Sequence, residues 1–447
     1  MAEPARSRAS ATLRLQTAAW YGDRTVDLDL PESWDVSVFA PATGRVLTEA
    51  EMWERLESPV GQQPIRERCS EKTRPLIIVD DLNRPTPASR ILPLLVRQLT
   101  DAGVPMRSIT ILIGAGTHAP PTADAVAKKV GVDLIHSCRV CVHDSNQDVV
   151  KLGRTSYGTP ILVSREVVNS DFLVGVGGVY PNHTGGFGGG SKAALGVLGL
   201  RSIAALHFGH ESVGWGSHTT KDTFRRDLDE IAQLIGLETG VFVVTDARRQ
   251  IVDLASGDIR SLYTQFLMST KDTFWVPRPD PAARIVISNA YPNDLSLTFA
   301  RMKGTVPLTV APTGASRIVV ASCEEGLGFH GLFPFMNAPR FHRYRMLQRR
   351  IAANLNNPRR LVQKGATRLA GRIPIRRGER SVASRDRHPT WLYCPSPDAL
   401  ANLPPSIPGI RATSSWSEVV DGVNGEQNDD SPLRTLVYAA APLQWLD

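Results

Sequence analysis

The residues best suited to chemistry crowd into one stretch, GVGGVYPNHTGGFGGGSKAALGVLGLRSIAALHFGH, running from Gly175 to His210. It holds His183, a run of glycines, Lys192 and His207. Ordering so many glycines is entropically costly, so such runs usually occur where backbone must approach something closely. A lysine at the end of the run can meet a phosphate or be a covalent attachment point, and a histidine further on can bind a metal. A flexible glycine loop before an ordinary helix would have the same composition. Asp81, Arg84, His118 and Lys303 complete the set. An arginine and a lysine can hold a carboxylate, the arginine through two parallel donors. Two histidines can share acid–base work near neutral pH.

Several familiar sites are excluded by detail. GGFGGGSKA falls short of the phosphate loop G-x-x-x-x-G-K-[ST], because Ser191 takes the glycine position before Lys192 and Ala193 replaces the hydroxyl residue. No G-x-G-x-x-G follows a strand with the acidic partner of a dinucleotide fold, and no Ser–His–Asp order stands out. Cys138 and Cys141 have C-x-x-C spacing, but no second pair follows, and along a strand the two side chains point in different directions.

The elements that must position these groups follow a repeated order of apolar strand, polar turn and amphipathic helix. PLIIVDD (75–81), SITILIGAGTH (108–118), VCVHDS (140–145), DFLVGVGG (171–178) and GVFVVTD (240–246) are the strands of a first unit. ARIVISNA (283–290) and SRIVVASCEEGLG (316–328) belong to a second. Between them, ASRILPLLVRQLTDAG has Leu92, Val96 and Leu99 on one helical face, and Thr122 caps the helix of TADAVAKKVG. This alternation predicts an α/β fold of two domains with largely parallel, Rossmann-like sheets. The expected domains are 1–272, carrying the tether-like lysine and the histidine motifs, and 273–447. Sheets of this kind bind ligands beyond the carboxyl ends of their strands, where Asp81, Arg84 and His118 lie. The active site is therefore expected in the cleft between the domains.

At 447 residues, 42% hydrophobic and 21% charged, the chain has an ordinary globular composition. No apolar run is long enough to span a bilayer, and the N-terminus lacks the apolar core of a secretion signal. Five cysteines in so long a chain do not read as a disulfide framework, so a cytoplasmic setting is expected. The net charge of +7 comes from a segment at 340–388 that is dense in arginine. That block could meet an anionic surface, but it has no interleaved aromatic pattern or nucleic-acid motif, so nucleic acid is not an expected partner.

In this order the motifs resemble those of the nickel-dependent lactate racemase family. Its D-x-T-R-P-x-P signature after a strand appears as Asp81-Leu82-Asn83-Arg84-Pro85-Thr86-Pro87. G-T-H-R-P-x-T appears as GTHAPPT, Gly116 to Thr122, and a histidine followed by G-[FY]-S-G-G-x-K appears as HTGGFGGGSK, His183 to Lys192. His207 matches a metal histidine in the helix beyond. WYGDRTVDLDLPESW and ARMKG (300–304) fit the family's opening and its later lysine motif.

The resemblance implies an isomerase, a racemase or epimerase of a 2-hydroxy acid. Its cofactor is a nickel-pincer nucleotide (nickel pyridinium-3,5-bisthiocarboxylic acid mononucleotide) tethered to Lys192. His207 supplies the protein ligand to nickel, and Asp81, Gly188, Gly189 and Gly190 bind or orient the cofactor. His118 and His183 are the two bases, one for each stereoisomer. Arg84 polarises the hydroxyl or carboxylate, and Lys303 helps hold the carboxylate. Hydride passes from the substrate to the cofactor and back, through a 2-oxo acid. The implied partners are the cofactor-making enzymes: a carboxylase/hydrolase, a sulfur transferase and a nickel insertase.

Three departures bear on the substrate and the cofactor. The His183-to-Lys192 interval is one residue short, Ala119 follows His118 in place of arginine, and Phe299 and Ala300 replace a tyrosine and a glutamine. A different or larger 2-hydroxy acid than lactate is therefore expected. The alternatives are a relative that only oxidises the acid, and a non-catalytic one binding an anionic ligand or nucleic acid through its basic segment. On one straight helix Lys192 and His207 would be more than about 20 Å apart. Sharing a cofactor thus requires a break near Gly196 or Gly199.

Overall fold

The computed structural model describes residues 5–7, 11–69, 74–219, 222–333, 389–427 and 431–446. The arginine-rich segment at 340–388 lies outside the described residues. Two sheets organise the rest. The first has six strands in the spatial order Ile251–Asp258, Thr239–Thr245, Phe172–Gly178, Pro75–Asp80, Thr110–Gly114 and Arg139–Val142. Its strands are parallel except for the edge strand Ile251–Asp258. The runs lack polar alternation because both faces are covered. Leu76 and Ile78 feed one core while Ile77 and Val79 feed the other.

The second sheet has seven strands, in the order Ala5–Ser7, Trp34–Phe39, Leu433–Tyr438, Ile285–Asn289, Ser316–Val320, Thr390–Tyr393 and Ile410–Thr413. All its pairs are parallel except the first. The expected α/β architecture with largely parallel sheets is present. One placement was not read from the sequence: Trp34–Phe39 stands beside Leu433–Tyr438, so the start of the chain completes the sheet formed by its end. Among the described residues, no helix is long and apolar enough to cross a membrane.

The helices follow their patterns. In Leu92–Asp101 the buried face includes Leu92, Leu95, Val96 and Leu99. The Thr122 hydroxyl accepts a bond from the Ala125 amide, 3.2 Å away, at the start of Ala123–Val130. The expected break between Lys192 and His207 is found. A tight helical run, Gly190–Val197, ends in extended backbone at Leu198, and a new helix, Leu200–Gly209, carries His207. The first run lies directly over the end of strand Thr110–Gly114. A Cβ on Gly196 would sit 2.7 Å from the Gly114 carbonyl oxygen and 2.9 Å from its Cα. Backbone on both sides leaves nothing flexible to move aside. Gly196→Ala should therefore destabilise the protein by about 1–3 kcal/mol, as overpacking does. Urea denaturation checks this, and a change below about 0.5 kcal/mol would show that the contact is not tight.

Candidate active site

A cavity of about 460 Å³ opens where the carboxyl ends of Pro75–Asp80, Thr110–Gly114 and Phe172–Gly178 meet two segments that follow strands of the second sheet, around Phe299–Lys303 and His330–Phe333. Such strand ends are where open parallel sheets present their loops to ligands. Of the residues singled out above, Asp81, Arg84, His118, His183, Gly188, Gly189, Lys192, His207 and Lys303 all line it. Gly190 does not. A Cβ there would fall 2.8 Å from Tyr263 Cβ, so its missing side chain faces the protein's own interior. Gly188 lines the cavity, yet a Cβ on it would meet the Gly178 carbonyl oxygen at 2.7 Å. The loop needs glycine first of all to pack on its own strand.

Asp81 and His118 form a buried pair, with Oδ2 2.7 Å from the ring Nδ1 and side chains 3% and 8% exposed. Burial disfavours the Asp81 carboxylate, but His118 and Arg84 outweigh it and hold the group below the usual carboxylate range. An ionised Asp81 can only accept, so Nδ1 of His118 carries a hydrogen, and in the neutral ring the lone pair is on Nε2. Asn83 Nδ2 donates to the same oxygen at 2.8 Å and fixes the carboxylate in turn.

His183 is the more open of the two imidazoles, exposed on one side. Its Nε2 donates to the Met302 carbonyl at 3.0 Å, which leaves Nδ1 as its free base. Desolvation of its inner side, helped by Lys303 and Lys192, lowers its pKa against the pull of that carbonyl. Both rings can therefore accept a proton, through different nitrogens.

Lys192 donates to Asn182 Oδ1 at 2.9 Å and to the Thr184 carbonyl at 2.7 Å. Burial, reinforced by Arg225, Lys303 and Arg84, puts its pKa well below that of an ordinary lysine. An amine held this way is a competent nucleophile. His207 donates Nδ1–H to the Ile203 carbonyl one turn earlier, at 2.8 Å, which leaves the lone pair on Nε2, and the residue lines the cavity. Burial lowers its pKa to about 4. A ring oriented through its second nitrogen is the usual form of a metal-ligating histidine.

The remaining wall is cationic. Lys303 is 5% exposed, and its Nζ has no hydrogen-bond partner among the described residues. The ammonium position lies 5.3 Å from the Tyr180 ring and 5.7 Å from that of Trp215. Arg84 projects from a turn held by a residue the motifs did not reveal. Lys129, 1% exposed, donates to the Thr86 carbonyl at 2.8 Å and the Arg84 carbonyl at 3.3 Å, and pairs with Asp80 at 2.5 Å. Its sequence signal was weak, because it occupies a lysine pair on an amphipathic helix that reads as solvent-facing. His330 also lines the cavity without having been anticipated. The GLGFHG turn that carries it repeats the glycine–histidine pattern of the earlier motifs, and that was the available sign.

These features also fit a nickel nucleotide. One oriented imidazole is a sparse donor set, suited to a metal whose other donors come from an organic group. Lys192 offers a nucleophilic amine for attachment, and Lys303 an unpaired buried amine that a bound anion would draw into its charged form. Among the described residues, no three His, Cys, Asp or Glu side chains converge into a metal centre made of protein alone.

Fold and cavity together define an α/β protein with an imidazole-rich, cationic pocket at the strand ends of two largely parallel sheets. Residues 21–218 match the lactate racemase N-terminal domain. The lactate racemase of Lactiplantibacillus plantarum is 26% identical over 294 residues, covering 64% of this chain and 69% of the relative. That of Thermoanaerobacterium thermosaccharolyticum is 26% identical over 325 residues, covering 70% and 76%. The lactate racemase apoprotein structure from the latter organism shares the fold, with a TM-score of 0.70 at 20% identity, over 98% of this chain and 100% of that one. The chain is thus similar to lactate racemases in sequence over residues 21–218 and in overall fold.

Lys303 carries a cost that its packing does not explain. Replacing it by methionine should stabilise the protein by about 1–3 kcal/mol near neutral pH, the usual cost of an unsatisfied buried polar group. With its pKa lowered in the fold, the unfolded chain binds the proton more tightly. Wild-type stability should thus rise with pH, and the advantage of Lys303→Met should shrink toward pH 10.5, the ordinary lysine value. Denaturation series across pH test this, and a gain that grows with pH would contradict it.

Proposed function

We propose that this protein interconverts the stereoisomers of a 2-hydroxy carboxylic acid, using a nickel-pincer nucleotide tethered through Lys192, with His207 as the protein ligand to nickel. The supporting observation is that His118 and His183, each oriented by a hydrogen bond at one ring nitrogen, line one cavity together with Arg84 and Lys303. When bound, the cofactor supplies a reversible acceptor for the hydride at the substrate's C2, which avoids forming a carbanion beside a carboxylate.

The chain's own residues do the rest. Lys303 and Arg84 bind the carboxylate, and the unpaired Lys303 amine takes its proton and its partner together when the anion arrives. His118 and His183 each serve the hydroxyl of one stereoisomer: one removes the proton from the isomer that is consumed, and the other gives a proton to the isomer that forms, as two faces of a planar centre require two bases. Asp81 keeps His118 in the tautomer that leaves Nε2 basic. Phe299, 3% exposed, and Ala300, fully buried, present no polar group beside Lys303. This favours a substrate other than lactate.

Protein produced together with the cofactor-making enzymes should carry a nickel nucleotide adduct in intact-mass spectra, and Lys192→Ala should lack it. An unchanged mass in the wild type would remove the cofactor assignment. For any 2-hydroxy acid that is turned over, Asp81→Asn should lower kcat by about 10²–10⁴-fold, the range seen when a catalytic imidazole loses its orienting carboxylate or its proton-transfer role. His118→Ala and His183→Ala should each abolish racemisation in chiral chromatography. Full activity in either would end the two-base assignment.

A further inference from the structure

The cavity contains a fourth imidazole that the racemase reading leaves idle. His330 follows the strand Ser316–Val320, is 8% exposed and lines the cavity. Its position is set by backbone: it bridges antiparallel to His118, and the Gly331 amide donates to the Thr117 carbonyl at 2.6 Å. Its ring centroid lies 5.0 Å from that of His118, edge to face, and 5.9 Å and 5.1 Å from those of Phe299 and Phe333. Nδ1 is buried with no hydrogen-bond partner among the described residues.

Packing alone does not account for this residue. Phenylalanine or leucine would fill the same space between aromatic rings without leaving a ring nitrogen dry. Burial lowers the pKa of the ring to about 2, so at working pH it is neutral, with one nitrogen donating and one accepting. A neutral imidazole rimmed by Phe299 and Phe333 suits an uncharged hydroxyl better than a second carboxylate, which would need a cation in contact. The ring touches His118, the group placed to handle the hydroxyl at C2, so the hydroxyl it would meet belongs to the next carbon.

Resting on the racemase reading, we infer that His330 is a substrate-contacting residue that hydrogen-bonds a hydroxyl on C3, so that the enzyme prefers 2,3-dihydroxy acids to their 3-deoxy counterparts. Glycerate and lactate share three carbons and differ only in that hydroxyl, which makes them the natural probes.

Wild-type holoenzyme should turn over glycerate with a higher kcat/KM than lactate. In His330→Phe the glycerate-to-lactate ratio should fall by about ten- to a hundredfold, mainly through KM, as expected for the loss of a specific hydroxyl contact. His330→Asn, which keeps a donor and an acceptor, should restore part of it. An unchanged ratio in His330→Phe, or an equal fall for both acids, would overturn the assignment. So would a wild type that racemises other 2-hydroxy acids but prefers lactate to glycerate; the racemase reading would survive that result. If the holoenzyme interconverts no 2-hydroxy acid, the racemase reading fails. Calorimetric binding of glycerate then decides on His330: binding weakened by His330→Phe supports the contact, and equal or absent binding removes it.

Discussion

One buried cation holds the glycine loop in shape. The Arg225 guanidinium donates to the carbonyls of Gly189 at 2.8 Å, Phe187 at 2.7 Å and Gly185 at 3.1 Å, and stacks 3.8 Å over the Tyr263 ring. These bonds satisfy carbonyls that no regular element could pair, in a loop where Gly185, Gly186, Gly189 and Gly190 all adopt positive φ. Because the loop is tied down at three points, Lys192 emerges at a fixed place, close enough to Asn182 and Thr184 for its amine to be held. A loop this rich in glycine would otherwise wander, and the amine with it.

A second constraint is electrostatic. Arg84, Lys192 and Lys303 share one cavity with four histidines, and the two aspartates near them are engaged, Asp80 with Lys129 and Asp81 with His118. Burial, reinforced by mutual repulsion, pushes both lysines and the His183, His207 and His330 rings toward their neutral forms. The same environment that costs stability makes nucleophiles and bases available near neutral pH.

The site also depends on contacts between the two sheets' loops. Asn293 donates to the Asn83 carbonyl at 2.7 Å, beside Arg84, while His183 and Gly331 make the corresponding bonds to Met302 and Thr117. The N-terminal turn adds a brace. Asp294 accepts from the amides of Ala18 at 2.8 Å and Ala19 at 3.2 Å, and Asp23 receives both Tyr291 and Arg249. Through Arg249 that turn reaches the loop after Thr239–Thr245, so it touches both sheets.

Much of the site was legible because its groups sit in short local patterns. Apolar runs placed the strands, and a polar residue just past a strand end is already near the ligand edge of a parallel sheet. That is why Asp81, Arg84 and His118 could be named from order and spacing, whereas Lys192 was marked by its glycine run, and a helix break before His207 followed from helical rise once the resemblance set Lys192 and His207 on one cofactor. Tertiary structure decided what no local pattern encodes. Whether a lysine is buried depends on what packs over it, so Lys129 looked like a surface residue. The proximity of His330 to His118 arises from the meeting of two sheets more than two hundred residues apart in sequence. The glycines, read as a cradle for a ligand, proved to be needed by the loop's contact with its own strand and with Tyr263. Residue types and spacing determined which chemistry was available; the folding of distant segments onto one another determined which groups share it, and which nitrogen of each ring is free.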